Sequence, residues 1–152
     1  MRRADREVTD PQELEAIIRA APYCTLALCR DGAPYAVPLS FGYDGVCVYF
    51  HCATEGLKLD ILRQNPRVSL CFVGRCEVIV STPACASSAR YASVLMTGTA
   101  RLVEDVTEKA VALDAIMSQH GAEETKSYDE RALARTQLVA VDIASMTGKR
   151  HD

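Results

Sequence analysis

The sequence predicts a mainly β (α+β) fold, an antiparallel barrel with peripheral helices. Three observations predict it. Short stretches rich in Val, Tyr, Phe and Ile recur between Gly, Pro and Asp turn signals. A strand–helix–strand order occurs once, around residues 46–73, and not repeatedly as a parallel α/β sheet requires. The stretch 90–103 reads as one long strand with Gly98 inside it, a bend of the kind a small barrel needs at its corners. The sum is six or seven strands and three or four helices, in a single domain spanning 1–152 with no internal repeat or linker.

Taken in order, Pro11 to Ala20 is a first helix. Asp10 can cap it, Pro11 suits its first position, and Leu14, Ile17 and Ile18 form its apolar stripe. Tyr23 to Cys29 is a strand. Asp31-Gly32 is a hairpin turn, and Ala33 to Phe41 is the return strand. Pro34 and Pro38 cannot donate to a ladder, so part of that strand is expected at an edge or a bulge. Tyr43-Asp44-Gly45 turns the chain into a strand over 46–50, where Val46, Val48 and Phe50 alternate with Cys47 and Tyr49 on a half-buried surface.

A polar turn from His51 to Gly56 follows, then a helix that stops at Asn65-Pro66. Val68 to Val73 and Glu77 to Val80 are strand segments separated at Gly74. Ser81 to Ala89 is a small-residue loop with Pro83, a candidate mobile wall. After the long strand comes a helix from Thr107, as its cap, to His120, ended by Gly121. Ala122 to Tyr128 is polar, Glu130 to Arg135 is a short helix, and Gln137 to Ile143 is the final strand. Thr147 to Arg150 reads as a solvated basic tail, and His151 as part of a disordered end.

Composition narrows the function. Hydrophobic residues make up 49% and charged residues 24%, with a formal net charge of −3, so there is no general attraction to nucleic acid. Arg2, Arg3 and Arg6 stand beside Asp5 and Glu7, as in a frayed terminus. No apolar run is long enough for a membrane span, and no apolar region follows the N-terminal arginines as in a signal peptide. The expected location is the cytoplasm. Seven cysteines (24, 29, 47, 52, 71, 76 and 85) show neither Cys-x-x-Cys nor zinc spacing. They are expected to be reduced, mostly in the core, and no metal site is expected.

The chemistry concentrates at 46–62, where a strand stops and a helix begins. The first N–H groups of a helix lack internal partners and carry partial positive charge, which suits a phosphate. Gly56 lets the backbone approach closely, Lys58 adds a full charge, and His51 and Thr54 offer further donors. An ordinary strand-to-helix connection with a solvated lysine has the same pattern. His51 is the one candidate for catalytic proton transfer; a structural histidine fixing the turn is the alternative. His120, at a helix end, is expected to interact with the dipole there.

Tyr49-Phe-His-Cys-Ala-x-x-Gly-x-Lys58 resembles the signature of the pyridoxamine 5′-phosphate oxidase-like flavin-binding split barrels, most closely their nitroimidazole-resistance branch. Residues 32–40, 91–100 and 142–149 resemble further family segments in family order. The resemblance implies an FMN-binding split barrel. It assigns Lys58 to the phosphate, with Cys52 and backbone donors from His51 to Leu57, Gly56 among them. It places Ser93 on the neighbouring strand as a further hydroxyl, and Val37, Pro38 and Leu39 along the isoalloxazine edge. It also implies a homodimer with flavin at the subunit interface, reached by Tyr91, Lys149 and Arg150 of the partner copy.

The chain ends soon after Thr147-Gly148-Lys149 and lacks the Arg-Leu-(Ala/Ser)-Pro segment of authentic pyridoxamine phosphate oxidases. The expected activity is therefore flavin-dependent reduction of a small acceptor, a nitro-aromatic or quinone. No nicotinamide fingerprint is present, so NAD(P)H would bind transiently as donor. The alternative is a module that binds FMN, haem or a deazaflavin without fast turnover.

Overall fold

A computed structural model of the chain describes residues 3–122 and 128–152. Its elements are β1 (Glu7–Val8), α1 (Pro11–Ala20), β2 (Cys24–Arg30), β3 (Ala33–Leu39), β4 (Gly42–Tyr43), β5 (Cys47–Cys52), α2 (Leu57–Gln64), β6 (Arg67–Ile79), β7 (Ser88–Val103), α3 (Val106–Gln119), α4 (Glu130–Ala134) and β8 (Gln137–His151). The strands pair antiparallel throughout, in the order β3-β2-β6-β7-β8-β5-β4, with β1 added to β8. The two ends of this path, β3 and β4, are joined by only Ser40 and Phe41. The sheet must therefore curl until its ends meet, and it closes by chain connection where hydrogen bonds are missing. Phe41 is fully buried at this seam, edge-on to Phe72 of β6 with ring centroids 4.9 Å apart.

Local chemistry explains most boundaries. Asp10 caps α1, accepting from the Gln12 N–H at 2.8 Å, and Leu14, Ile17 and Ile18 are buried against the sheet. Asp31 and Gly32 both take positive φ, 52° and 80°, as a two-residue hairpin turn of matching twist requires. The two expected segments 68–73 and 77–80 are one strand, with its register shifted between Val73 and Arg75. Beyond that shift, residues 75–79 pair only with 88–92 of β7, so the hairpin projects as an arm. Val78 is 71% and Val80 84% exposed on it. The arm's tip is residues 80–87, with a 3-10 turn at Ala84–Ala86 and the Ser81 N–H donating to Ser87 Oγ; Ser88 and Ala89 of the expected loop already belong to β7.

Several expectations are corrected. There are eight strands among the described residues, because β1 and β4 are two residues each, too short to leave a periodic trace. β5 is buried on both faces, not one. Val48 and Phe50 enter the main core, while Cys47 and Tyr49 lie under Ala112 and Ile116 of α3. Asp105, not Thr107, caps α3, accepting from the Glu108 N–H at 2.9 Å; the helix starts one residue earlier. Only Cys24 and Cys47 are buried. Cys29, Cys76 and Cys85 are exposed, because they occupy outward strand positions or the arm tip.

The chain ends are structured too. Arg3 holds Asp5 through two bonds, at 2.8 and 2.6 Å, and β1 pairs with β8, so Arg3 and Arg6 are not frayed. Arg2 lies outside the described residues, as do 123–127 of the expected polar stretch. The basic tail is the second half of β8, which runs to His151 between β7 and β1. Gly148 makes that close packing possible. A Cβ there would meet Leu14 Cδ2 at 2.5 Å and Val8 Cβ at 2.8 Å.

Candidate cofactor site

β5 carries His51 and Cys52 one step further than the sequence suggests, paired to Leu138 and Gln137 of β8. Four residues later α2 begins. Its N-cap is Gly56, with φ 127° and ψ 165°, a conformation that side-chain-bearing residues rarely adopt, and no side chain caps the helix. The first helical bond runs from the Asp60 N–H to the Gly56 carbonyl at 3.1 Å. The N–H groups of Leu57, Lys58 and Leu59 therefore have no helical acceptor. α1 and α3, in contrast, each carry an aspartate cap.

Lys58 is half-buried, with Nζ 5.3 Å from the centre of the Phe50 ring. No carboxylate lies within ion-pair distance of it among the described residues. Its charge reaches two thiols. Burial pushes Cys24 up to about 12 and Cys52 upward as well, and Lys58 opposes both shifts. Cys24, on β2, is the register partner of Leu39. His51 is exposed at the end of β5.

The Val37-Pro38-Leu39 segment forms the other wall. β3 is the sheet's edge, as its prolines require. The hairpin's closing pair, Arg30 and Ala33, exchanges hydrogen bonds, so Pro34, Ala36 and Pro38 turn their backbone groups outward. Free edge groups are the Ala36 N–H and the carbonyls of Pro34, Ala36 and Pro38, while Val37 and Leu39 are tied into the ladder. Their side chains pack on the core, as does Cys52. β4 covers β5 only as far as Tyr49, leaving the 50–52 edge of β5 to face β3 across the seam. Val37, Leu39 and Cys52 thus pack on one core cluster, and Gly56, Leu57 and Lys58 follow Cys52 along the chain into α2.

Tyr91, Ser93 and Lys149 are not brought there. Ser93 pairs with Lys149 and Val73, and β7 is not the neighbour of β5. Along β8, Lys149 lies eleven residues from Leu138, the partner of His51, a path of roughly 35 Å. Within one chain these residues form a separate cluster. The Tyr91 hydroxyl accepts from Arg6 Nη1 at 3.3 Å, and Lys149 Nζ sits 5.5 Å from the ring centre. Arg150, also expected there, is held by Glu13 and Asp152 instead. Arg6 and His151 join the cluster unannounced by the sequence, because both lie in stretches that read as loose ends. The Glu7-Val8 strand that anchors Arg6 is too short to be seen, and the inward Gly148 erases the apolar signal of late β8.

No cluster of His, Cys, Asp or Glu suited to a metal ion occurs among the described residues. Nor is any helix among them long and apolar enough to cross a membrane.

Comparison with known proteins agrees with this fold. A crystal structure from Bacteroides thetaiotaomicron VPI-5482, provisionally described as a 5-nitroimidazole antibiotic resistance protein, is 32% identical. The match covers 94% of this chain and 85% of that one, with a TM-score of 0.83. An FAD and haem binding protein from Mycobacterium smegmatis superposes with a TM-score of 0.86 at 26% identity, over 97% of this chain and 74% of that one. An uncharacterised protein of Rhizobium meliloti (strain 1021) is 36% identical over 63 residues, 41% of either chain. The family model for pyridoxamine 5′-phosphate oxidase matches residues 10–150. With its split antiparallel barrel and its seam-side turn, this chain belongs to the pyridoxamine 5′-phosphate oxidase family.

Proposed function

We propose that this chain is a cytoplasmic, homodimeric oxidoreductase that uses flavin mononucleotide to reduce a small aromatic acceptor, a nitro-aromatic or a quinone. The observation that carries this reading is the uncapped start of α2 with Lys58 beside it, without an ion pair among the described residues. When bound, the flavin supplies the hydride chemistry, and the protein supplies orientation, charge and exclusion of water. Lys58 and the N–H groups of Leu57 to Leu59 would hold the phosphate. The Ala36 N–H and the Pro38 carbonyl would meet the polar rim of the ring, with Val37 and Leu39 fixing the strand behind it. His51, exposed at the end of β5, would be the candidate for proton transfer near the ring.

An uncharged face of the sheet supports the homodimer. Two rows cross four strands on the outer face of the sheet: Ala27, Ser69, Thr97, Ser145 and Thr25, Cys71, Leu95, Thr147. Neither row contains a charge, Leu95 is 53% exposed, and an open groove of about 790 Å³ runs along part of this face. A partner seated there would cover it and could bring its own Tyr91, Ser93 and Lys149 to the flavin. Sedimentation should show a dimer. A flavin-loaded monomer at micromolar concentration would contradict the proposal.

The similarity to an FAD and haem binding protein favours a second reading, a module that binds such a cofactor or a deazaflavin without turnover. One experiment separates the two. The purified protein is offered flavin mononucleotide, then mixed anaerobically with NADH or NADPH. Flavin bleaching followed by reoxidation on adding a nitro-aromatic or quinone supports the oxidoreductase. Flavin that dithionite reduces but neither nicotinamide does supports the module. Tight uptake of haem or deazaflavin with no uptake of flavin overturns the flavin reading.

A further inference from the structure

We propose that Arg6, Tyr91, Lys149 and His151 form a binding subsite for an oxyanion, the carboxylate or phosphate group of the acceptor. Three separate parts of the fold converge there. Arg6 ends the Ala4–Arg6 turn, Tyr91 lies on β7, and Lys149 and His151 lie on late β8. Tyr91 is the hub: its hydroxyl accepts from Arg6, Lys149 stands over its ring, and the His151 ring is 6.0 Å away.

The hydrogen-bond accounting leaves donors without acceptors. Arg6 Nε is buried and has no partner. The Tyr91 hydroxyl accepts from Arg6 and keeps its own proton to give. His151 Nδ1–H donates to the Ala89 carbonyl at 2.7 Å, which holds the ring in place and leaves Nε2 free. Arg6 first, and Lys149 after it, draw the Tyr91 phenol below its ordinary range, as in a positively charged surrounding.

The charge accounting points the same way. Among the described residues, neither Arg6 nor Lys149 has a carboxylate within ion-pair distance. Asp5 is turned to Arg3, and Glu13 to Arg150. Glu7, exposed opposite Lys149 in the β1–β8 ladder, is the one acidic neighbour without a partner of its own. Guanidinium, ammonium and phenol donors without a resident anion suit a carboxylate or a phosphate. The assignment of that anion to an acceptor rests on the flavin reading; the binding of the anion does not.

The test follows the His151 ring protons by NMR while inorganic phosphate, and separately benzoate, is added to the purified protein with and without bound flavin mononucleotide. A saturable shift is expected with at least one of the two, and which one responds identifies the headgroup. Arg6→Gln and Lys149→Gln should each weaken it about tenfold or more, the value of one charge-assisted contact. Lys109→Gln on α3, which alters net charge equally, should leave it unchanged, and Glu7→Gln should tighten it. No saturable shift with either anion overturns the proposal, as does equal weakening by Lys109→Gln. Loss of the phosphate response whenever flavin is bound also overturns it, because the cluster would then serve the cofactor. A protein that takes up no flavin yet retains the response refutes the flavin reading and leaves the oxyanion site standing.

Discussion

Lys58→Ala is expected to weaken flavin mononucleotide binding by about tenfold to a hundredfold, with little change in folding stability. A charge-assisted contact to phosphate contributes roughly 1.5–3 kcal/mol, which sets that range. Folding should hardly notice. Lys58 makes no ion pair among the described residues, and its contact with the Phe50 ring, at 5.3 Å, is worth about 0.5–1 kcal/mol. The helix itself remains, since Leu59, Ile61 and Leu62 bury its apolar side. Flavin fluorescence titration measures the first effect and urea unfolding the second. Lys58→Arg should recover much of the affinity, because charge matters more than shape at a helix N-terminus that already offers backbone donors. Unchanged affinity in Lys58→Ala would make the lysine a bystander and the α2 terminus an ordinary connection.

The strand-to-helix turn was legible in the sequence because its parts are local. A strand that stops near Phe50, a glycine at the turn, and a lysine two residues later all fall within one short stretch. The Asp31-Gly32 hairpin and the Pro34/Pro38 edge were legible for the same reason: turn chemistry and a missing N–H act at the residue that carries them. What pairing decides was not legible. Late β8 is a strand because β7 and β1 flank it, and its inward Gly148 offers no hydrophobic signal. β5 alternates as if half-buried, and only the arrival of α3 covers its second side. Ser93 illustrates the limit most clearly. It sits where the resemblance expects it along the chain, yet the strand order separates it from β5. Cysteine burial failed on the same ground, since an apolar stretch does not say which alternate positions face outward.

Phe41→Ala is expected to cost about 3–5 kcal/mol of stability and to loosen flavin binding as well, although Phe41 is not proposed to touch the flavin. The cost follows from deleting a fully buried aromatic side chain from a packed core. Against a typical domain stability of about 5–15 kcal/mol, this is a large fraction. The location matters as much as the size. Phe41 occupies the two-residue link between β3 and β4, where no hydrogen bonds close the barrel, and its edge-on contact with Phe72 ties that link to β6 in the middle of the sheet. Without the ring, the link from β3 into β4 loses its anchor on β6. Phe41→Leu should restore most of the stability by refilling the volume. Urea unfolding should show a lower midpoint with an unchanged slope, the mark of lost stability and not of an altered unfolded chain. Lys58→Ala and Phe41→Ala should therefore part company: the first lowers affinity alone, the second lowers both. A stability loss below about 1 kcal/mol in Phe41→Ala, far under the usual cost of such a deletion, would mean that the seam is held from elsewhere.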